Sequence, residues 1–145
     1  MTSHWIYKGT ILETPPENAF GFVYRVENLL GNKIYIGRKY FGKTRRIAKK
    51  GKTRKTVIRS ESDWRTYTGS CKELNSDIER LGKENFRFEI IIICETKGQV
   101  NFSEESLQHK YNVLIDPKYY NSNIGNRKSM SIKMSEQFKK DLMEL

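Results

Sequence analysis

Only two of the 145 residues are cysteine, Cys71 and Cys94, and only two are histidine, His4 and His109. The cysteines fall on different expected elements without metal-ligand spacing, so the sequence supports neither a disulfide framework nor a zinc site. Long hydrophobic runs are also missing: the longest, Ile90–Cys94, is far short of the ~18–20 residues of a membrane span. Residues Met1–Lys8 lack the charged-then-apolar layout of a signal peptide. These absences set the expectation of a soluble, cytoplasmic chain with no membrane partner. Aromatic residues make up 12% of the chain, too many for a disordered tail. At this length one core, and so one domain, is expected.

Charge is abundant and lopsided. The formal net charge is +10, yet 22 residues from Arg38 to Arg59 carry eleven bases and no acid. The remaining 123 residues hold 16 bases against 17 acids, so this one segment supplies the whole excess. Such a block repels itself and favours a polyanion, most often nucleic acid. The plainer alternative is a solvated loop or a localisation tag.

The coarse organisation is that of a small α/β (α+β) domain. Residues 1–19 form an arm ending near Pro15 and Pro16. Phe20–Val26 and Ile34–Ile36 are β-branched and aromatic, and the polar turn between them, with Gly31 and Asn32, suits an antiparallel hairpin. The basic segment has no periodicity and is expected to be an insertion loop over 38–63. Ser70 and Glu73 have capping-box spacing before Leu74, Ile78 and Leu81, and Gly82 ends that helix. Phe86–Cys94 reads as a strand buried on both faces. A helix is expected from about Glu104 to Leu114, and Ser135 can cap a last one bearing Phe138, Leu142 and Leu145. The expectation is a three-stranded, mainly antiparallel sheet flanked by helices over 1–125, followed by a tail with a short helix over 126–145.

Glu104 stands out because Leu107, Tyr111 and Leu114 share its helical stripe, which aims its carboxylate inward. A carboxylate at the edge of a buried face is costly unless a base or a metal meets it. The alternative is a capping box with Asn101 as N-cap and Glu104 at N3. Glu105 points to the polar side with Gln108, His109 and Asn112.

In the hairpin, Phe22-Val23-Tyr24 and Tyr35-Ile36-Gly37 place two tyrosines eleven positions apart. With Arg45 ten residues further on, Ser62-Asp63-Trp64, Tyr67-Thr68-Gly69-Ser70 and Tyr119-Tyr120-Asn121, the chain resembles the GIY-YIG nucleases. The likeness is to small phage-encoded homing-type endonucleases and covers roughly residues 20–125. Phe22 and Val23 depart from the first triplet without removing a reactive group. The resemblance implies Tyr24, Tyr35, Arg38, Arg45, Glu104 and Asn121 as the catalytic set, with Glu104 the metal ligand. Arg38 stands where some members use lysine; a guanidinium cannot shed its proton, so any such role would pass to Lys39.

Phosphodiester hydrolysis needs an activated water, stabilisation of growing negative charge and help for the leaving oxygen. One Mg²⁺ (or Mn²⁺) on Glu104 suits this, with a tyrosine orienting or deprotonating water and Arg45 forking onto the phosphate. A free phenol would need a cation such as Arg38 to lower its pKa. Asn121 suits positioning through its amide. Lys39, Lys43, Arg46, Lys49, Lys50, Lys52, Arg54 and Lys55 are expected on DNA, presumed double-stranded, with Lys128 and Lys133 adding contacts. Trp64, with Tyr67, suits either base stacking or packing at the helix entrance. The function expected is a metal-dependent DNA endonuclease of phage homing type. The alternative is a catalytically inactive nucleic-acid-binding protein on the same fold.

Overall fold

The computed structural model describes residues 2–48, 50–51, 54–125, 127–128 and 134–145. A five-stranded sheet forms the centre, in spatial order β2-β1-β7-β3-β4. Strands β3 (Gly21–Asn28) and β4 (Lys33–Tyr40) make the expected antiparallel hairpin, and β7 (Phe86–Cys94) runs antiparallel on the other side of β3. Asn32 at the turn takes φ of 53°, the left-handed conformation that asparagine tolerates. The sheet is wider than the three strands expected. The arm folds back as β1 (Ile6–Tyr7) and β2 (Thr10–Ile11), and β1 pairs in parallel with β7 at Ile6–Glu89. Strands of two residues carry no readable alternation. What fixes this arm is Trp5, fully buried against Phe22, Tyr24 and Phe88.

The basic segment differs most from expectation. It is a second antiparallel hairpin, β5 (Gly42–Ala48) with β6 (Lys55–Glu61), registered from Gly42–Glu61 to Ala48–Lys55. Its pairing is only with itself, and Lys43–Arg46, Ala48, Val57 and Arg59 are exposed. Among its described side chains none is buried and Ile47 alone is half-buried, so they show no hydrophobic alternation. Lys49, Lys52 and Lys133 lie outside the described residues.

One face of the sheet packs on helix α1 (Lys72–Leu81), where Leu74 is buried and Ile78 and Leu81 pack beside it, as their spacing predicts. The other carries helix α2 (Lys97–Lys110), with Val23, Ile34, Ile36 and Val113 in that core. Strand β7 is not buried on both faces. A bulge makes Val23 pair with Ile92 but Tyr24 with Ile90, which reverses the alternation and leaves Ile92 exposed. After α2 come the short pair β8 (Asn123–Ile124) and β9 (Arg127–Lys128), then α3 (Glu136–Met143), capped by the Ser135 hydroxyl.

Three local expectations are corrected. Helix α1 starts without a side-chain cap, because Glu73 pairs with Lys33 at 2.7 Å rather than closing a capping box. Helix α2 starts seven residues early, capped by Thr96, so Asn101 is an interior residue; it ends at Lys110, and Tyr111 is exposed. Trp64 is fully buried, ringed by Phe22 and Phe41, and its indole donates to Glu61 at 2.8 Å. Trp64 is therefore a core residue and not a stacking platform for bases.

His4 sits stacked on Phe88 at 4.0 Å with its Nε2 at 2.9 Å from the Tyr67 carbonyl. Burial, reinforced by Lys83, lowers its pKa from 6.5 to about 4. The unfolded chain therefore takes up a proton near pH 6.5 that the folded chain refuses until about pH 4. Stability from this group is complete above about pH 6.5 and falls as pH drops toward 4. Thermal melts over that window should show His4→Gln losing less stability with acid than the wild type; parallel curves would exclude His4 as the acid-sensitive group.

Candidate active site

The site begins with strand register. Tyr24 stands opposite Gly37, and Tyr35 lies two residues before Gly37 on the same face, so the phenols converge with ring centroids 6.1 Å apart. They can do so only because position 37 has no side chain. A Cβ there would meet the Tyr24 hydroxyl at 2.6 Å and the Tyr35 ring at 2.7 Å. Gly69, with φ of 101°, closes the same space from the loop before α1, 3.1 Å from the Tyr24 oxygen at its notional Cβ. Both tyrosines thus reach a cavity of about 360 Å³ at the edge of β4. Tyr67, Ser70 and Cys71 line it from one side, and Arg38, Glu104 and Gln108 from the other.

Glu104 faces this cavity from α2 with a side chain 14% exposed. The Arg38 Nε lies 3.8 Å from Glu104 Oε1, and the same guanidinium donates to Asn101 Oδ1. Asn101 also accepts from the Tyr40 hydroxyl at 3.1 Å, so it holds Arg38 in place. Glu104 accepts no hydrogen bond from any described residue. Burial raises its pKa; Arg38 opposes that rise and Glu105 adds to it. The phenols behave likewise. Burial raises Tyr24 well above 10, with Tyr35, Tyr67 and Glu104 adding to the effect. Tyr35 is also raised by burial, but a hydrogen bond with the Ser70 hydroxyl pulls the other way. The expected cationic lowering by Arg38 is not found, because Arg38 is turned toward Asn101 and Glu104.

Asn121 completes the wall by acting as a strand. Its Nδ2 donates to the Ile36 carbonyl at 2.8 Å and its Oδ1 accepts from the Ile36 amide at 3.1 Å. Gln108, one turn after Glu104, donates to the same carbonyl at 3.0 Å. Gln108 is buried rather than on the polar face, and its Oε1 has no partner. The i, i+4 spacing from Glu104 was the available signal for it.

The remaining expected residues lie elsewhere. Arg45 is exposed on β5 opposite Ile58 and does not line the cavity, because the hairpin carries it away from the end of β4. Arg38 is the guanidinium that the structure brings to the cavity. Lys39 pairs with Asp63 at 2.6 Å and lies 3.9 Å from the Tyr67 ring centroid. Lys43, Arg46, Lys50 and Arg54 are exposed, and the backbone of Lys55 belongs to β6.

Among the described residues no three His, Cys, Asp or Glu side chains form a metal-binding group. A caged zinc does not fit that donor set. A hard cation held by one carboxylate, with waters and a substrate phosphate completing its shell, does. Glu104, largely buried and without a hydrogen-bond donor among the described residues, is the residue that would hold it.

The antiparallel hairpin, flanking helices, paired tyrosines and inward glutamate form one α/β site. Residues 5–124 match the family model described as "Putative endonuclease segE, GIY-YIG domain", and the chain belongs to the GIY-YIG nuclease family. Searches of curated proteins and of solved structures gave no match. No helix among the described residues is long and apolar enough to cross a membrane.

The raised pKa of Glu104 has a consequence for stability independent of catalysis. The folded state binds this proton more tightly than the unfolded chain does. The group's contribution is full below the unfolded glutamate pKa and is lost as pH rises through the raised folded value. In chelator, Glu104→Gln should therefore gain in melting temperature over wild type as pH goes from about 4 to neutrality. A difference that stays flat across that range would show that Glu104 is well solvated.

Proposed function

We propose that this chain is a metal-dependent DNA endonuclease that hydrolyses phosphodiester bonds in double-stranded DNA. The observation that carries the reading is Glu104: a largely buried carboxylate that accepts no hydrogen bond among the described residues and has Arg38 at 3.8 Å, facing a cavity lined by two phenols and that guanidinium. Mg²⁺ or Mn²⁺ bound there would supply Lewis-acid polarisation of the phosphate and stabilisation of the leaving oxygen. Arg38 meets the negative charge of the phosphate as a fixed cation, which a guanidinium does without a change of protonation. The two phenols orient the attacking water, each able to accept one hydrogen bond and donate one. Tyr35 is the better proton relay, since it is more exposed than Tyr24 and has the Ser70 hydroxyl beside it. Asn121 and Gln108 hold β4 at Ile36 and so fix the distance between the tyrosine face and the glutamate face. The family match and the likeness to small homing-type endonucleases support a phage-type homing enzyme.

Nicking of supercoiled plasmid with and without Mg²⁺ tests this reading. Glu104→Gln should abolish cleavage while keeping DNA affinity, and Glu105→Gln should be mild; cutting by the Glu104 variant would overturn the assignment. Tyr35→Phe should lose on the order of a hundredfold in single-turnover rate, as expected of an acid–base group, and more than Tyr24→Phe. Equal losses, or a larger one at Tyr24, would reverse the assigned roles.

A further inference from the structure

Beside the catalytic cavity lies a second, larger depression of about 710 Å³. It sits between the root of the β5–β6 hairpin, the end of β4 and the start of α2, and it shares Arg38 with the first cavity. Lys43 and Arg59 reach it from the two strands of the hairpin and Lys97 from the first residue of α2. Lys39 and Asp63 also line it and pair at 2.6 Å, and Lys43 acts on the same carboxylate from farther away. Lys43, Arg59 and Lys97 have no ion-pair partner among the described residues. The floor is fixed by backbone: Phe41 donates to the Phe20 carbonyl at 3.0 Å and Ser62 to the Phe41 carbonyl at 2.9 Å. Phe41 beneath it is buried.

We propose that this groove is a second phosphate-binding site, holding the DNA backbone on one side of the bond cleaved at Glu104. The inference rests on the nuclease reading for which bond is cut, but not for what binds. Arg59 and Lys97, with Lys43 and Lys39 around the single carboxylate of Asp63, leave the groove cationic and continuous through Arg38 with a site lined by Glu104. Such a groove matches a polyanion better than a single small anion. Duplex DNA is the form that fits. Seven paired residues make a ribbon about 23 Å long, and a two-stranded β-ribbon is an element that the major groove admits. With backbone seated at its root, the hairpin stands next to a groove of the same duplex. Lys97 and Arg59 then act together although 38 positions separate them in the chain.

The test uses the full chain, a fluorescein-labelled duplex of arbitrary sequence, EDTA to prevent cleavage, and fluorescence anisotropy across a NaCl series. Arg59→Gln and Lys97→Gln should each flatten the slope of log affinity against log salt by ~0.9, and the double variant by ~1.8. Arg59→Lys and Lys97→Arg should restore it, and Lys110→Gln at the far end of α2 should leave it unchanged. The wild type on the same duplex with a run of neutral methylphosphonates should show the same flattening, without depending on any variant's folding. An unchanged slope in the folded double variant, or a slope loss confined to single-stranded DNA or RNA, overturns the proposal. Because no metal is present, the two readings separate: plasmid nicking with an unchanged slope removes the groove alone. A flattened slope in a protein that never cuts removes the nuclease reading alone.

Discussion

The open edge of β4 is the constraint on which the site depends. An edge strand presents unpaired amides and carbonyls that must find partners. Here the chain returns after α2 to cover them: Ile34 donates to the Lys118 carbonyl, Tyr120 to the Ile34 carbonyl, and the Asn121 side chain takes both groups of Ile36. The cover ends there, one residue before Gly37. A side chain at 37 would fill the space where the two phenols lie. The same short stretch therefore seals the edge of the sheet and opens the cavity. Residues from its two faces, Tyr24 and Tyr35 on one and Arg38 and Glu104 on the other, meet around that gap.

Polar groups at this edge are bound to one another in a chain of dependence. The Ile36 carbonyl accepts from both Gln108 and Asn121, so helix α2 and the return segment are tied to one backbone position. Gln108 is one turn from Glu104, and Asn101, one turn before it, grips Arg38. Three residues of one helical face thereby set the glutamate, its cation and the strand in a common frame. Such networks are worth most in a low-dielectric setting, where an unpaired polar group is costly. By that measure the unpartnered Oε1 of Gln108 and the undonated carboxylate of Glu104 mark where the protein stops satisfying itself.

The parts legible in the sequence are those in which side-chain type alone set the geometry. Tyr24 and Tyr35 were readable through the resemblance that the two triplets carry, and Glu104 because helical spacing put it on an inward face. Leu74, Ile78 and Leu81 were readable for the same reason. What escaped was whatever depended on pairing partners. The β5–β6 hairpin has no buried side chain among those described and so shows no pattern, and β1 and β2 are too short to show one. The bulge in β7 hides in a run of four isoleucines, since identical residues cannot report a change of register. Arg45 was placed by spacing along the chain, which holds only if the intervening segment keeps the expected path; the hairpin changes that path. Trp64 carried two readings of equal chemistry, and only its burial between Phe22, Phe41 and Trp5 decides for packing.

The distribution of charge completes the picture. Of the described bases between positions 38 and 59, Arg38 is the one that meets Glu104, where it opposes the effect of burial on the carboxylate. More cation there would hold Glu104 more firmly than Arg38 does at 3.8 Å and would cancel the rise in pKa that burial causes. Lys43, Arg45, Arg46 and Arg59 stand instead on a hairpin outside the cavity, exposed. Their long-range field can draw a polyanion toward the cavity without neutralising the Glu104 carboxylate. The segment of 22 residues that holds the whole positive excess of the chain thus brings Arg38 to the cavity and carries Arg45, Arg46 and Arg59 outside it.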